Sequence, residues 1–215
     1  MANKKIVIVD YNLSNLFSVK QACEYIGMSV RVSSNPKDIE MADALILPGV
    51  GAFHTAMGNL ESLGLLQPLK DSIVQGKPFF GICLGMQLLF SESEEFQSSK
   101  GLGFINGKIK KFKPTAQHYK VPQIAWNKIY SPENNKFKGS PLFGIKEGDY
   151  MYFVHSYYAF PDSKEVILTE TLYNGITYCS GVLKNNIFAV QFHPEKSSKN
   201  GLEIYKNWAL INNLK

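Results

Sequence analysis

Residues 78–90 read PFFGICLGMQLLF, and this stretch decides the fold prediction. Residues 78–82 form a short apolar run typical of a strand buried on both faces, and residues 84–90 have the apolar spacing of a helix. The turn between them, Gly81-Ile82-Cys83-Leu84-Gly85, is typical of an exposed nucleophile because the glycines leave room for a sharp bend. The positive end of a helix also favours a thiolate. The turn therefore predicts Cys83 as a nucleophile, and the alternative is a buried cysteine between glycines that only allow close packing.

Strands and helices alternate through the rest of the amino-terminal half. Asn12 or Ser14 is expected to cap the first helix, Gly27 to end it, and Pro48 to end the third strand. The alternation predicts a parallel, doubly wound sheet. The predicted strands are residues 6–9, 30–32 and 44–47, and the predicted helices are residues 16–26, 54–61 and 65–75.

From about residue 101 the chain becomes rich in aromatic and β-branched residues in short segments. Asn185-Asn186 between two apolar runs predicts a hairpin turn, and residues 201–211 predict a last helix. The expected fold is α/β: an open, mostly parallel, doubly wound sheet with added antiparallel strands in the carboxyl-terminal half, in one domain over residues 1–215. The late strands are predicted at residues 108–112, 124–130, 150–158, 165–172, 176–183 and 187–190.

Composition limits the class of protein. The chain has 215 residues, 45% hydrophobic and 19% charged, which is enough apolar material for a core and argues against global disorder. It has no run of about 18 apolar residues, so we expect no membrane span. Three cysteines without a CxxC pair favour a reducing compartment and a cytoplasmic protein. His54 and His118 have no partner at metal-ligand spacing, so neither a metal nor a cofactor is expected.

The net charge of +5 comes almost entirely from lysine, since Arg31 is the only arginine. Nucleic-acid readout depends on arginine forks, so a nucleic-acid partner is not expected. The basic run at residues 108–113 is interpreted as the solvated face of a strand rather than an anion site.

A second motif, Gln191-Phe192-His193-Pro194-Glu195, follows the apolar run at residues 187–190. Pro194 keeps His193 extended, and residues two apart in an extended chain project to the same side. Glu195 is therefore expected beside the His193 imidazole, as a carboxylate that orients a base. A capping or core histidine with a solvated acid is the alternative.

A third motif, Pro48-Gly49-Val50-Gly51, lies at the carboxyl end of a predicted parallel strand, where ligands bind in open α/β sheets. The flanking glycines let the Val50 peptide take either orientation. Such a peptide can present an N–H to a developing oxyanion. A plain strand-to-helix turn is the alternative.

Together these motifs resemble those of class I glutamine amidotransferases, and among them the glutaminase subunits of imidazole glycerol phosphate synthase. GICLGMQ with FHPE is specific for the class. The chain departs from the usual pattern at Asn12 and Ser14, where glycines are common, and at residues 123–127, QIAWN in place of HMGWN. The resemblance covers nearly the whole chain, through IVDYNLSNLFSV, LPGVGAF, GICLGMQLLF, GLGFINGKIKKF, VPQIAWN, YFVHSYY and FAVQFHPEKSSKNGL.

The resemblance implies a role for each motif. Cys83 would attack the glutamine amide and form a glutamyl thioester, with His193 as acid and base and Glu195 orienting it. Backbone N–H groups of Val50 and Leu84 would form the oxyanion hole. Glutamine would be held by Gly51, Gln87, His155, Ser156 and Tyr157, and Trp126 and Lys196 would lie at the boundary with a partner.

The implied partner is a cyclase (synthase) subunit in a heterodimer, which uses the ammonia to make imidazole glycerol phosphate and AICAR in histidine biosynthesis. Physical chemistry also favours a partner, because free ammonia in neutral water becomes ammonium, a poor nucleophile. The motifs from Val50 to Glu195 leave no room for an acceptor domain. We hypothesise that the Val50 peptide is misoriented in the free subunit and turns when the loaded partner binds.

Three alternatives stay open at this point. The first keeps the glutaminase chemistry and assigns the ammonia to a sugar or polysaccharide-precursor amidotransferase. The second assigns the turn to a stand-alone cysteine hydrolase or peptidase, which would act without a partner. A catalytically silent binding subunit is disfavoured by the intact Cys83, His193 and Glu195.

Overall fold

The structure is a computed structural model that describes residues 4–95, 98–113, 120–133 and 137–215; His118, considered above, lies outside these ranges. Two 3₁₀ turns occur at Lys164–Val166 and Pro194–Lys196. The helices are α1 Leu16–Tyr25, α2 Pro36–Glu40, α3 Phe53–Ser62, α4 Leu66–Val74, α5 Leu84–Gln87 and α6 Ser198–Ile211. The strands are β1 Ile6–Val9, β2 Val30–Ser33, β3 Ala44–Gly49, β4 Phe79–Cys83, β5 Phe90–Ser93, β6 Ser99–Lys100, β7 Ile105–Lys111, β8 Gln123–Lys128, β9 Tyr150–His155, β10 Tyr157–Pro161, β11 Ile167–Tyr173, β12 Ile176–Lys184 and β13 Ile187–Val190.

Within the described ranges, eleven strands form one sheet in the order β2-β1-β3-β4-β13-β12-β10-β7-β5-β6, with β11 paired to β12. Strands β2, β1, β3, β4 and β13 run parallel to one another. Beyond β13 the pairs β13–β12, β12–β10 and β10–β7 are antiparallel. Strands β8 and β9 form a separate antiparallel pair. The predicted α/β class, with a mostly parallel sheet and added antiparallel strands, is confirmed.

The parallel strands β1, β3, β4 and β13 are buried on both faces, as their continuous apolar runs require, whereas β2 lies at the edge of the sheet and is partly exposed. On one face Ile6 and Ile8 pack in the same core as residues of α1 and α6, such as Val19 and Trp208. On the other face Val7 and Val9 share a core with residues of α3 and α4. Helices therefore cover both faces, and the sheet is doubly wound.

Several elements differ from their predicted bounds. The helix predicted at residues 84–90 ends at Gln87, and Phe90 begins a strand, because periodicity alone does not separate a short buried strand from a buried helix. The cap of α1 is Asn15 rather than Asn12 or Ser14, and the Ser14 hydroxyl instead donates to the Pro48 carbonyl oxygen at 3.0 Å. Strand β3 continues through Pro48 to Gly49.

The segment predicted as one strand at residues 150–158 is two strands that separate at Ser156. Strand β9 pairs with β8, whereas β10 pairs with β7 of the large sheet. Strand propensity does not distinguish one long strand from two that leave for different partners. The short elements α2, β5 and β6 were not predicted.

The central feature for function is the pairing of β13 with β4. These strands are parallel, with Val190 opposite Ile82. Their carboxyl ends therefore lie side by side, and the residues that follow each strand meet at one edge of the sheet. None of the helices in the described part of the chain is long and apolar enough to cross a membrane.

Candidate active site

Cys83 lies on a strained turn between β4 and α5. Its backbone has φ 54° and ψ −109°, outside the regions that side chains other than glycine usually adopt. A Cβ at Gly85 would lie 1.7 Å from the Leu47 carbonyl oxygen, and one at Gly81 would lie 2.9 Å from the Ala189 Cβ. Glycine is therefore required at both positions by the close approach of neighbouring strands, as the packing alternative expects, and at Gly81 also by the Gly85 carbonyl oxygen of the turn, 3.0 Å from such a Cβ. Strain of this kind is retained at functional sites.

His193 and Glu195 form a buried pair at the end of β13. The His193 Nδ1 and Glu195 Oε1 atoms are 2.7 Å apart, and the side chains are 3% and 1% exposed. The expected proximity is confirmed, although Pro194–Lys196 forms a 3₁₀ turn rather than extended chain. The Ser197 hydroxyl donates to the His193 carbonyl oxygen at 2.6 Å and fixes this turn.

The environment of His193 favours the imidazolium. Burial alone lowers the pKa of His193, but Cys83 and Glu195 beside it outweigh burial and raise that pKa to about 10. Among the described residues, Nε2 of His193 has no geometric hydrogen bond. The Glu195 carboxylate holds the Nδ1 proton, so Nε2 is the nitrogen left for proton exchange at the sulfur and at a bound ligand.

Cys83 opens into a cavity of about 270 Å³. Every residue to which the resemblance gave a backbone or glutamine-binding role lines it. His193 is not one of the described residues that line the cavity. It is buried behind the lining and interacts with Cys83. The lining consists of Val50, Gly51, Cys83, Leu84, Gln87, Glu95, Pro122, Val154, His155, Ser156 and Tyr157.

Glu95 also lines the cavity, although the sequence motifs did not predict it as a site residue. It lies in the acidic run at residues 92–95, which has the composition of a solvated surface, so no local signal marks it. In the structure its Oε2 accepts the backbone N–H of Phe53 at 2.5 Å, which fixes the carboxylate at the cavity wall. Glu95 is the only carboxylate among the described lining residues.

The wall at residues 155–157 is held by a buried polar network. The His155 Nδ1 lies 2.8 Å from the Tyr157 carbonyl oxygen, and its Nε2 lies 3.2 Å from the Tyr178 hydroxyl. Burial lowers the pKa of His155 to about 4, so the ring is neutral at neutral pH. A carbonyl oxygen only accepts, so the single ring proton of His155 lies on Nδ1. The Tyr178 hydroxyl beside Nε2 donates to the Gln123 side-chain oxygen at 3.0 Å. His155 therefore fixes the wall without carrying charge.

The two backbone N–H groups predicted to form the oxyanion hole differ in their hydrogen bonding. Leu84 is the first residue of α5, where a backbone N–H has no partner in its own helix. The Val50 N–H instead donates to the Leu13 carbonyl oxygen at 2.7 Å. In this conformation the Val50 N–H is therefore already engaged in a backbone hydrogen bond, whereas the Leu84 N–H is not satisfied within its helix.

The residues expected at a partner boundary share one exposed face. Trp126 is 49% exposed and lies edge-on to Tyr152, with ring centroids 6.1 Å apart. The Lys196 ammonium is 5.6 Å from the same Tyr152 ring, and that ring is 6.5 Å from His193. One aromatic side chain therefore connects this face to the imidazole. Across the ranges that the structure describes, no group of three His, Cys, Asp or Glu side chains is arranged to hold a metal.

Structural comparison supports the fold. A solved glutamine amidotransferase superposes with a TM-score of 0.73 at 16% identity, covering 96% of this chain and 98% of that one. The structure of PurLQS from Thermotoga maritima superposes with a TM-score of 0.71 at 17% identity, covering 99% and 100%. At these identities the likeness concerns the fold alone.

Sequence comparison goes further. The model of the family "Glutamine amidotransferase class-I" matches residues 7–211. The imidazole glycerol phosphate synthase subunit HisH of Syntrophotalea carbinolica is 43% identical over 208 residues, covering 94% of this chain and 98% of the relative. That of Sulfurimonas denitrificans is 44% identical over 213 residues, covering 98% and 100%. The chain therefore belongs to the class I glutamine amidotransferases and, within them, to the family of the HisH subunits.

Proposed function

We propose that this chain is the glutaminase subunit of imidazole glycerol phosphate synthase and releases ammonia from glutamine at Cys83. One observation supports this most strongly: a cysteine on a strained turn adjoins a buried His193–Glu195 pair and opens into a cavity the size of one amino acid. The full-length identity with HisH subunits supports the same assignment.

In the first half-reaction the Cys83 sulfur attacks the side-chain carbonyl carbon of glutamine. The negative charge moves to the amide oxygen, which the N–H of Leu84 and the turned N–H of Val50 would stabilise. His193 then donates its Nε2 proton to the amide nitrogen as the C–N bond breaks. The products of this step are ammonia and a glutamyl thioester on Cys83.

In the second half-reaction neutral His193 takes a proton from water, which attacks the thioester carbonyl carbon. The C–S bond breaks, glutamate leaves, and the sulfur regains its starting state beside the imidazolium. Glu195 keeps the Nδ1 proton in place throughout, so that only Nε2 exchanges protons. The sum is glutamine plus water to glutamate plus ammonia.

Glutamine binding would use the carboxylate of Glu95 and the side chain of Gln87. The Gln87 Nε2 donates to the Tyr157 carbonyl oxygen at 3.0 Å and to the Gln191 Oε1 at 2.9 Å. Its Oε1 is therefore the end available to a ligand. Two oxygen acceptors in the lining of one cavity fit the α-ammonium group of glutamine.

We expect Glu95→Gln to raise the KM for glutamine by about tenfold to a hundredfold with little change in kcat, because a charge-assisted hydrogen bond becomes a neutral one. The amide still offers an oxygen to the Phe53 N–H, so the local fold is retained. Steady-state kinetics of glutamate release measure both constants. Glu94→Gln, at the exposed neighbouring carboxylate, is the control. An unchanged KM would exclude Glu95 from substrate binding.

The ammonia acceptor is proposed to lie on a cyclase subunit in a heterodimer. Ammonia released into neutral water would be protonated, so transfer needs a protected path. The exposed face around Trp126, with Ile124 61% exposed beside it, is apolar enough to be an interface, and Lys196 adjoins it.

We also propose a cytoplasmic location and a single domain over residues 1–215. The location is supported by the relatives named as subunits of a biosynthetic enzyme, and the single domain by the continuous family match over residues 7–211.

The decisive experiment mixes this chain with candidate cyclase subunits and follows glutamate release as each acceptor is added. We expect release to rise only with the imidazole glycerol phosphate cyclase and its acceptor. Stimulation by a sugar amidotransferase partner instead would reassign the pathway but keep the chemistry. Rapid hydrolysis of peptides or esters by the chain alone would indicate a stand-alone hydrolase.

A further inference from the structure

Gln191 is a buried amide beside the nucleophile that the mechanism above leaves without a role. It is 0% exposed and directly follows β13, where its backbone N–H donates to the Ser180 carbonyl oxygen at 2.9 Å. Its side-chain Nε2 lies 3.5 Å from the Cys83 sulfur. A buried amide needs hydrogen-bond partners for its N–H groups, and the Cys83 sulfur is such a partner for Gln191.

The direction of the hydrogen bonds between Gln87, Gln191 and Cys83 is set by the Tyr157 carbonyl oxygen, which Gln87 also contacts. The Tyr157 carbonyl oxygen only accepts, so Gln87 presents its NH₂ group there. The same Gln87 nitrogen lies 2.9 Å from Gln191, which must therefore present its oxygen to it. The Gln191 NH₂ group is left facing the sulfur, and the bonds run in series from Gln87 through Gln191 to Cys83. Hydrogen bonds in series strengthen one another.

We propose that Gln191 is a further catalytic residue: its side-chain N–H donates to the Cys83 sulfur and stabilises the thiolate. This inference deepens the proposed glutaminase function and rests on it. The donor acts twice in the reaction. It holds the attacking sulfur as an anion before glutamine is cleaved, and it stabilises the sulfur again as the leaving group when the thioester is hydrolysed.

The other groups around Cys83 do not duplicate this donor. The Val154 carbonyl oxygen is 3.9 Å from the sulfur and accepts from a thiol, so it favours the neutral form. Burial raises the pKa of Tyr11 and keeps it neutral, and His155 is neutral as shown above. The Glu95 carboxyl group lines the same cavity and has no N–H to offer the sulfur. Among the described side chains, Gln191 is thus the one whose N–H is directed at the sulfur, and the His193 imidazolium beside it acts on the sulfur through its charge.

The test is the pH dependence of Cys83 alkylation by iodoacetamide in the full chain without glutamine, followed by the mass of the peptide that carries Cys83. Met has nearly the volume of Gln but no N–H. In Gln191→Met we expect the half-maximal alkylation rate at a pH about one unit higher than in the unmodified chain. Gln191→Glu keeps an oxygen for Gln87 but faces the sulfur with an oxygen, and should shift the profile further upward.

Asn207→Leu is the matched control, because it removes a buried amide that bonds to the Pro141 and Phe143 carbonyl oxygens instead of to sulfur. Its alkylation profile should coincide with that of the unmodified chain. A folded Gln191→Met or Gln191→Glu protein with an unshifted profile would overturn the proposal. Because glutamine and partner are absent from this assay, its failure is separate from a failure of the glutaminase assignment, which appears as no glutamate release with any cyclase.

Discussion

Replacing Cys83 with alanine should abolish glutamine-dependent synthesis by the complex and leave ammonia-dependent synthesis intact. In the proposed mechanism the sulfur forms the covalent bond to the glutamyl group, and removing a nucleophile of this kind costs at least about 10³-fold in rate. Ammonia supplied from solution reaches the acceptor without this step. The measurement compares product formation by the complex with glutamine and with a high concentration of ammonium salt at alkaline pH.

Cys179→Ala is the control for this prediction. Cys179 is also buried, but it lies in β12 and its sulfur bonds only to the Gly181 carbonyl oxygen among the described residues. This variant should retain both activities. If Cys83→Ala lost the ammonia-dependent activity as well, Cys83 would have a structural role and the proposed chemistry would be wrong.

The second large effect is expected from Val50→Pro, because proline has no backbone N–H. If the Val50 peptide turns to stabilise the oxyanion in the loaded complex, loss of this one donor should lower partner-stimulated glutamine hydrolysis by about 10²–10³-fold. The weak activity of the free chain should change far less, since its Val50 N–H is already bonded to Leu13. Glutamate release with and without the acceptor-loaded cyclase gives this ratio.

Val50→Ala separates the side chain from the N–H. It keeps the backbone donor and removes only a side chain that is 39% exposed, so stimulation should stay within about tenfold of the unmodified complex. Full stimulation of the Val50→Pro complex would show that this amide is not an oxyanion donor. Equal hydrolysis by the unmodified chain with and without the loaded partner would exclude the switch itself.

The parallel core was predictable because its signals are local. The apolar runs of β1, β3 and β4 and the helical spacing of α1 and α3 depend on residues a few positions apart. The Cys83 turn was recognisable for the same reason, since its cysteine and both glycines lie within five residues. The closest clashes that require glycine there involve Leu47 and Ala189 of neighbouring strands. The short elements α5 and β5 were not predictable in this way. They lie in one apolar run, and local periodicity does not show where the helix ends and the strand begins.

The sequence by itself determined the Cys83 turn proposed to carry the nucleophile, the His193–Glu195 pair and the glycine-flanked loop, since each is carried by neighbouring residues. Only the tertiary structure decided how they meet, because Cys83 and His193 are 110 positions apart in sequence and come together where β13 enters the sheet beside β4. It also decided that Glu95 faces the cavity, that Gln191 faces the sulfur, and that the Val50 N–H is bonded to Leu13. These contacts join residues distant in sequence, and their energies depend on burial and packing that no local pattern encodes.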